Sequence, residues 1–315
     1  MTGETPDLFG PITGDLATIE SVLRKEIHSD PPEVGAPMAD LFEAGGKRIR
    51  PALVLLSALA GTYDLSRLSP AAMAVELTHA ATLVHDDVID RSATRRGRPT
   101  VAATLGDEPA IVVGDYYFAK AYEHAARTDH AEVVAILARA VMAICAGEVR
   151  QQSIRYRYST DAGEYMRRIE AKTATLLAAC CEIGALLGGL DETKRGALRA
   201  YGHDIGLAFQ ITDDVLDYTA TEGEVGKPIG HDVIDGFATL PLMLAGIELE
   251  DGRKLHEDEA RRVVDAVRRS EGPRLALDRA SNYAQSAREN LNVLDHGEAT
   301  TALASLADYV VTRKL

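Results

Sequence analysis

Apolar residues recur at helical spacing along almost the whole chain. Near the N-terminus, Leu16, Ile19 and Leu23 follow one another at i, i+3 and i+7, which places their side chains on one helix face. We find no run of alternating apolar and polar residues between turn signals that would predict a strand. The pattern therefore predicts an all-α protein, a single large helical bundle around a central cavity.

Breaks rich in Gly, Pro and Ser separate the predicted helices. After a first helix from residue 13 and a loop at 29–35, helices are predicted at 38–42, 52–59, 69–90, 109–127, 132–156, 162–188, 194–218, 240–249, 258–270, 273–293 and 299–313. Ser69 is the expected N-cap of its helix, with Pro70 in the first turn. We predict one domain over residues 1–315, with a flexible terminus at 1–12.

Composition narrows the class of protein. Hydrophobic residues make up 46% of the chain and charged residues 26%, and the net charge of −14 argues against binding to nucleic acid or anionic membranes. No stretch is long and uncharged enough to span a bilayer, and residues 1–12 lack a signal-peptide pattern, so stable membrane insertion is not expected. Cys145, Cys180 and Cys181 lie in apolar helical contexts and are predicted to be reduced core residues of a cytoplasmic protein.

Three carboxylates end the predicted helix at 69–90. Asp86, Asp87 and Asp90 are spaced i, i+1 and i+4, so the first and last lie one above the other on the helix. Like charges at this spacing destabilise a helix, and a hard divalent cation such as Mg²⁺ would offset the repulsion. Taken alone, such a cluster is better explained as a solvated helix end.

A second cluster with the same spacing makes the metal-site interpretation stronger. Asp213, Asp214 and Asp217 also end an apolar helical run. The first cluster is followed by a dense set of arginines: Arg91, Arg95, Arg96 and Arg98. Metal ions and guanidinium groups side by side are typical of a site that binds a diphosphate. Two acid clusters on apolar helices suggest two acidic walls that face one cavity.

Six motifs occur in a characteristic order. They are GGKRIRP at 45–51, LVHDDVID at 83–90, RRGRPT at 95–100, KTA at 172–174, GLAFQITDDVLD at 206–217 and GKP at 226–228. Together they resemble the trans-type polyprenyl diphosphate synthases, the head-to-tail isoprenyl transferase family. The resemblance covers residues 45–241 in detail and extends to the ending LADYVVTRKL at 306–315.

The resemblance implies an isoprenoid-synthase fold and a set of roles for the two acid clusters. Asp86 and Asp90 would bind Mg²⁺ with Asp87 supporting, and Asp213 would do so opposite them, with Asp214 and Asp217 acting directly or through water. Three Mg²⁺ ions per active site are implied. An allylic diphosphate would ionise, isopentenyl diphosphate would attack the cation, and a proton would then be lost to the released diphosphate.

The basic and polar motif residues also acquire expected roles from the family. The isopentenyl diphosphate pocket would use Gly46, Lys47, Arg50, His79 and Arg96. The allylic diphosphate would be held by Arg95, Lys172 and Lys227, and the carbocation would be stabilised by Thr173 and Gln210. Simpler interpretations are surface charge for the two lysines, a core position for His79, and ordinary helix polar groups for Thr173 and Gln210; Arg48 is expected to be a salt-bridge partner.

Product length in this family depends on a steric floor along the helix that carries the first acid cluster. The channel positions before Asp86 are Thr82, Ala81 and Thr78, all small. Tyr117, with its aromatic neighbours, is either a floor on the next helix or plain core. We expect a product of about C30 or longer, because small side chains leave room for a long tail; geranylgeranyl or farnesyl diphosphate is the alternative.

One motif departs from the family, and two rival functions stay open. Phe237 in the sequence DGFAT at 235–239 stands where many members have a lysine, so one diphosphate contact is missing or supplied elsewhere. A class I terpene cyclase would replace the second acid cluster, and a non-catalytic subunit of a heteromeric synthase would lose acids from one cluster. A metal buffer would not explain the basic motifs. The family is usually homodimeric, so a homodimer is expected.

Overall fold

The protein is all-α, as the periodicity predicted. The computed structural model describes residues 9–159, 161–220 and 230–313. Besides 3-10 turns at Gly10–Ile12 and Leu291–Val293 and a π-helical turn at Glu170–Ala174, the described elements are α1 Thr13–Ser29, α2 Pro32–Glu43, α3 Ile49–Leu59, α4 Leu65–Ile89, β1 Thr94–Arg95, β2 Arg98–Pro99, α5 Val101–Leu105, α6 Asp107–Ala126, α7 Ala131–Ser153, α8 Ala162–Ile169, α9 Thr175–Leu187, α10 Glu192–Thr219, α11 His231–Ile234, α12 Leu240–Leu244, α13 Glu257–Arg269, α14 Gly272–Asn290 and α15 Glu298–Thr312.

The largest differences between predicted and observed helix starts are at α2 and α4. Helix α2 begins at Pro32 rather than at residue 38, because proline fits the first helical position, where its missing N–H costs nothing. Helix α4 is capped by Asp64, whose side chain accepts a hydrogen bond from the Ser66 N–H at 3.0 Å. The predicted N-cap at Ser69 is therefore wrong, and Pro70 lies inside the helix.

The region after the first acid cluster and the segment 162–188 also differ from the prediction. The segment 162–188 was expected to be one α-helix, but the π-helical turn at Glu170–Ala174 interrupts it between α8 and α9. The arginine-rich loop forms an antiparallel hairpin in which Arg95 pairs with Arg98. At its tip Arg96 and Gly97 both have positive φ, 50° and 76°, as a two-residue type I′ turn requires.

The chain divides into two compact units, each built from separate stretches of sequence. Unit 1 comprises Met1–Arg139, Ala179–Gly196 and Leu294–Ala302; unit 2 comprises Ala140–Ala178, Ala197–Val293 and Leu303–Leu315. Because the chain passes repeatedly between them, neither unit is a contiguous sequence domain, and the single-domain assignment stays a prediction. At the expected flexible terminus, Gly10–Ile12 forms its 3-10 turn and Ile12 is buried.

The remaining sequence predictions concern membrane segments and cysteines. Among the described helices, none has the combination of length and apolar character needed to cross a bilayer. Cys180 and Cys181 are buried, as predicted, whereas Cys145 on α7 is exposed, so its assignment to the core is wrong. The helical periodicity around Cys145 indicated a helix but not which of its faces is covered.

Candidate active site

The first acid cluster lies at the C-terminal end of α4 in unit 1. Asp86 and Asp90 are half-buried, whereas only 2% of Asp87 is exposed. The helix ends there because Arg91 adopts a left-handed conformation with φ of 52°. The chain then turns into the hairpin, which brings Arg95 back towards the helix it has just left.

Arg95 forms a two-pronged ion pair with Asp87. Its Nε donates to both carboxylate oxygens of Asp87 at 3.0 and 3.1 Å, and its Nη2 donates to Oδ1 at 2.8 Å. Such bidentate charge-assisted bonds fix both partners. The fork of Arg95 is thus directed at Asp87. The supporting role of Asp87 and the binding of a substrate diphosphate by Arg95 stay predictions.

Arg48 is half-buried in a second ion network, in agreement with its expected salt-bridge role. Its Nη1 donates to Glu76 on α4 at 2.7 Å, and its Nη2 donates to Glu20 on α1 at 3.0 Å and to the Phe42 carbonyl at 3.3 Å. Burial opposes ionisation of Arg48, but the two carboxylates outweigh it and raise its pKa. Arg48 therefore ties α1, α2 and α4 together.

His79 lies on α4 within a strongly positive neighbourhood. Four guanidinium groups act on it: those of Arg50, Arg95, Arg96 and Arg48. Burial and these positive charges hold the pKa of His79 well below its ordinary value, so the imidazole is neutral near pH 7. Partial burial, together with Arg95 and Arg48, likewise lowers the pKa of Arg96. An anion placed here would relieve this repulsion.

Gly46 borders the same positive region. A Cβ added at Gly46 would lie 3.0 Å from Arg48 Nη1 and 3.3 Å from Arg96 Nη1. The absence of a side chain therefore lets the backbone approach both guanidinium groups closely. Lys47, next along the chain, is exposed, and Arg50 on α3 is half-buried. Unit 1 thus brings together Gly46, Arg50, His79 and Arg96 as the sequence predicted.

The predicted chain-length residues also lie in unit 1. Thr78 and Ala81 on α4 are buried, and Thr82 donates its hydroxyl to the His79 carbonyl at 2.7 Å. Tyr117 on α6 is fully buried, and its hydroxyl donates to Asp30 at 3.0 Å. Lys120 also bonds Asp30, at 2.6 Å, so Tyr117 is an anchored core residue whose truncation would disturb an ion network.

In unit 2 the π-helical turn carries Lys172 and Thr173. The turn is closed by the Thr175 N–H, which donates to the Glu170 carbonyl. Two glycines let the helices α7 and α10 approach this turn closely. A Cβ added at Gly147 of α7 would lie 2.4 Å from Ala171 Cβ, and a Cβ added at Gly206 of α10 would lie 2.4 Å from Ala174 Cα. Isolated π turns often mark functional sites. Lys172 is 38% exposed, with Glu148 at 3.8 Å.

A hydrogen-bonded chain links the π turn to the second acid cluster. Thr173 donates to Gln210 Oε1 at 2.6 Å, and Gln210 Nε2 donates to Asp214 at 2.9 Å. The other Asp214 oxygen accepts from the Tyr165 hydroxyl at 2.7 Å. Burial and the nearby Asp232 raise the pKa of Asp214 to about 8. Asp214, which is 3% exposed, therefore holds Gln210 in place from within the core. Its part in metal binding, directly or through water, stays a prediction.

Asp213 has a partner that sequence reasoning missed. Arg313, which follows α15, donates to Asp213 at 2.5 Å and to the Phe209 carbonyl at 3.0 Å. Its guanidinium lies 3.8 Å from the centre of the Phe209 ring. The only signal for this contact was the family-like ending at 306–315, which assigned Arg313 no role. Lys227, a predicted diphosphate ligand, lies outside the described residues.

The carboxylates suit Mg²⁺ when substrate oxygens complete the coordination. Within 9–159, 161–220 and 230–313, no three His, Cys, Asp or Glu side chains converge into a ready-made metal cage. Mg²⁺ is commonly bound by one or two carboxylates together with substrate phosphates. Half-buried Asp86 and Asp90 fit that donor set better than Asp87, whose oxygens face Arg95.

Comparison with known proteins places these features in a family. A profile of the polyprenyl synthetase family matches residues 31–268. The chain is 38% identical to heptaprenyl diphosphate synthase component 2 of Geobacillus stearothermophilus, over 97% of this chain and 98% of that protein. It is 37% identical to geranylgeranyl diphosphate synthase of Methanosarcina mazei, over 87% and 88%.

A solved structure gives the same result at the level of the fold. The polyprenyl synthase of Caulobacter crescentus, solved with calcium and isoprenyl diphosphate, superposes with a TM-score of 0.91 at 36% identity, covering 98% of this chain and 97% of that one. The fold is the all-α isoprenoid-synthase fold, and divalent-metal dependence comes with the family. The chain is a trans-prenyltransferase that belongs to the polyprenyl synthetase family.

Proposed function

We propose that this prenyltransferase condenses isopentenyl diphosphate with an allylic diphosphate in a Mg²⁺-dependent reaction. The observation that carries the proposal is the neutral His79 among four guanidinium groups, beside the glycine backbone at Gly46. An isopentenyl diphosphate that binds without metal needs such a pocket of positive charge. Lys47 and Arg50 would add charge from the same segment of chain.

The acid clusters would serve the allylic substrate. Asp86 and Asp90 on α4 and Asp213 on α10, with Asp217 assisting, would hold Mg²⁺, whose charge stabilises the leaving diphosphate. Three ions are proposed by analogy with the family. Arg95, oriented by Asp87, and Lys172 and Lys227 would supply further positive charge to this diphosphate.

The π turn would place oxygen dipoles near the carbocation. Gln210 is held by Asp214, so its Oε1 points at Thr173 and its position does not depend on substrate. A dipole fixed in advance needs no reorganisation when charge develops. We propose that Thr173, Gln210 and the wide backbone turn at Lys172 stabilise the cation, while the proton is lost to the released diphosphate.

We further propose a product of about C30 or longer, because the channel positions Thr78 and Ala81 carry small side chains. The relatives include both a heptaprenyl synthase component and a geranylgeranyl diphosphate synthase, so a shorter product is the competing proposal. If the product is shorter, the ring of Tyr117, whose hydroxyl is fixed by Asp30, would form the floor.

The oligomeric state is a separate proposal. The exposed apolar side chains Ile111 and Val112 on α6 are consistent with a homodimer. The name component 2 of the Geobacillus relative raises a second possibility, a heteromeric synthase. Retention of both complete acid clusters favours a catalytic chain over a non-catalytic subunit. Light scattering of the purified chain would distinguish a dimer from a monomer that awaits another subunit.

Incubation with isopentenyl diphosphate, Mg²⁺ and each of the geranyl, farnesyl and geranylgeranyl starters would test the activity, with the dephosphorylated products sized by chromatography. Products of about C30 or longer support the small-residue channel at Thr78 and Ala81. A stop at the geranylgeranyl length favours the competing proposal. Failure to extend any starter would refute activity of the chain alone.

A further inference from the structure

The family lysine that Phe237 replaces leaves a gap in the positive charge of unit 2. Phe237 is only 7% exposed, and an aromatic ring supplies no cation. The second acid cluster and the nearby Asp232 nevertheless concentrate negative charge, which a diphosphate would increase further. Arg313 is bound to Asp213, so a further cation for the diphosphate would have to come from another side chain of unit 2.

Arg168 on α8 is held against the substituted position. Its Nη2 donates to the Ala238 carbonyl at 3.0 Å, directly after Phe237. The guanidinium carbon lies 5.5 Å from the centre of the Phe237 ring and 5.4 Å from that of Tyr165. These contacts are in the range of cation–π interactions, which suit the flat guanidinium group. The ring of Phe237 thus holds the positively charged guanidinium of Arg168 at this position.

Arg168 lies next to the second acid cluster by way of Tyr165. The hydroxyl of Tyr165, whose ring the guanidinium faces, donates to Asp214 at 2.7 Å. Arg168 is half-buried. Among the residues that the structure describes, Nη2 is its one donor in a hydrogen bond, so the remaining N–H groups of the fork are available to an anion.

We propose that Arg168 binds the allylic diphosphate at the second acid cluster in place of the missing lysine. An arginine fork can keep one arm on the Ala238 carbonyl while another N–H meets a phosphate oxygen, which a lysine cannot do with the same geometry. This inference rests on the proposed function for the identity of the anion. It identifies a specificity-determining residue that the motif comparison did not supply.

Arg155 provides a matched control. It lies over the same Phe237 ring at 5.7 Å, and its Nε donates to the Asp235 carbonyl at 2.7 Å. Its guanidinium also faces the Tyr156 ring, at 5.3 Å, whereas that of Arg168 faces the Tyr165 ring. If packing on Phe237 were all that mattered, Arg155→Gln and Arg168→Gln would behave alike.

The test measures calorimetric binding of inorganic diphosphate with Mg²⁺, alongside steady-state kinetics with the allylic substrate. A hydrogen bond to a charged group contributes about 1.5–3 kcal/mol, so Arg168→Gln should weaken binding about 10- to 150-fold and raise KM more than it lowers kcat. Arg155→Gln should bind as wild type does. The double variant Arg168→Gln/Phe237→Lys should recover most of the affinity.

The outcomes separate the two proposals. Wild-type affinity in folded Arg168→Gln, or equal losses in both single variants, would overturn the role of Arg168, as would a folded double variant that recovers nothing. Thermal unfolding verifies the fold of each variant. If a variant fails to fold, Arg168→Lys replaces it. This variant keeps the positive charge without the guanidinium fork and should bind diphosphate with intermediate affinity. If wild type binds diphosphate yet extends no starter, the proposed function fails while the binding assay still decides the role of Arg168.

Discussion

The glycine that packs against the π turn offers a sharp test of how the second half of the site is built. Gly206 on α10 approaches the turn so closely that an added Cβ would lie 2.4 Å from Ala174 Cα, 2.9 Å from Ala174 Cβ and 3.2 Å from its nitrogen. Two of these three atoms belong to the backbone. Gly206→Ala must therefore move α10 or the turn itself, because a side-chain rotation cannot relieve the overlap.

Two opposing terms set the size of the effect. Alanine gains about 0.5–1 kcal/mol over glycine in a helix interior. Overpacking a tight contact costs about 1–3 kcal/mol, and the backbone position of the clash favours the upper part of that range. The free energy of unfolding of Gly206→Ala should thus fall by about 1–2 kcal/mol. Displacement of the turn also disturbs the 2.6 Å bond between Thr173 and Gln210.

Gly196, on the same helix, is the matched control. A Cβ there has no atom within 4 Å, so Gly196→Ala should gain stability by about 0.4–1 kcal/mol and leave activity unchanged. Urea unfolding gives the free energies, and kcat with a saturating allylic substrate reports on the turn; we expect about a tenfold loss for Gly206→Ala alone. Equal stability changes in the two variants, or full activity in Gly206→Ala, would refute the reasoning.

Three further predictions follow from buried contacts. Arg48→Met leaves Glu76 buried without its guanidinium and should lower the free energy of unfolding by about 3–5 kcal/mol, and a double variant with Glu76→Leu should recover most of it in urea titrations. Ala81→Phe should shorten the product seen by chromatography, and an unchanged product length in a folded variant would contradict a channel at that position. Arg313→Gln removes the cation that competes for Asp213 and should lower the Mg²⁺ concentration needed for half-maximal diphosphate binding in calorimetry. An increase in that concentration would instead mean that Arg313 orients Asp213 for the metal.

The sequence predicted the structure best where the residues of a single helix show both its periodicity and its functional side chains. The spacing of Asp86, Asp87 and Asp90 on an apolar helix predicted both the helix and the acid cluster at its end. It could not show that Asp87 turns inward to Arg95, because both half-buried and buried carboxylates obey the same periodicity. The cap of α4 was misplaced for a related reason: Asp64 and Ser69 are both good N-cap residues, and only the local backbone chooses between them.

Sequence patterns could not predict contacts between residues that are far apart in the chain. Arg313 meets Asp213 across 100 positions, and Arg168 reaches the carbonyl of Ala238 across 70. The residues next to an arginine in the sequence do not indicate which distant group its side chain will bind. The π turn was missed because its residues have ordinary helical composition; in the fold it is accompanied by the close approach of Gly147 and Gly206 from other helices.

The π turn also sets the angular phase of the helix that contains it. Tyr165 and Thr173 both bond to α10, at Asp214 and Gln210, although they are eight residues apart. In a regular α-helix eight residues rotate the side chain about 80° beyond two full turns, so both could not point at the same neighbour. The wider turn rotates less per residue and brings Thr173 back into line with Tyr165. The segment 170–174 thus accommodates one residue more than a regular helix would need. Deleting one residue between Tyr165 and Thr173 would leave them seven positions apart, about 20° short of two full turns, so a regular α-helix would still direct Thr173 at α10.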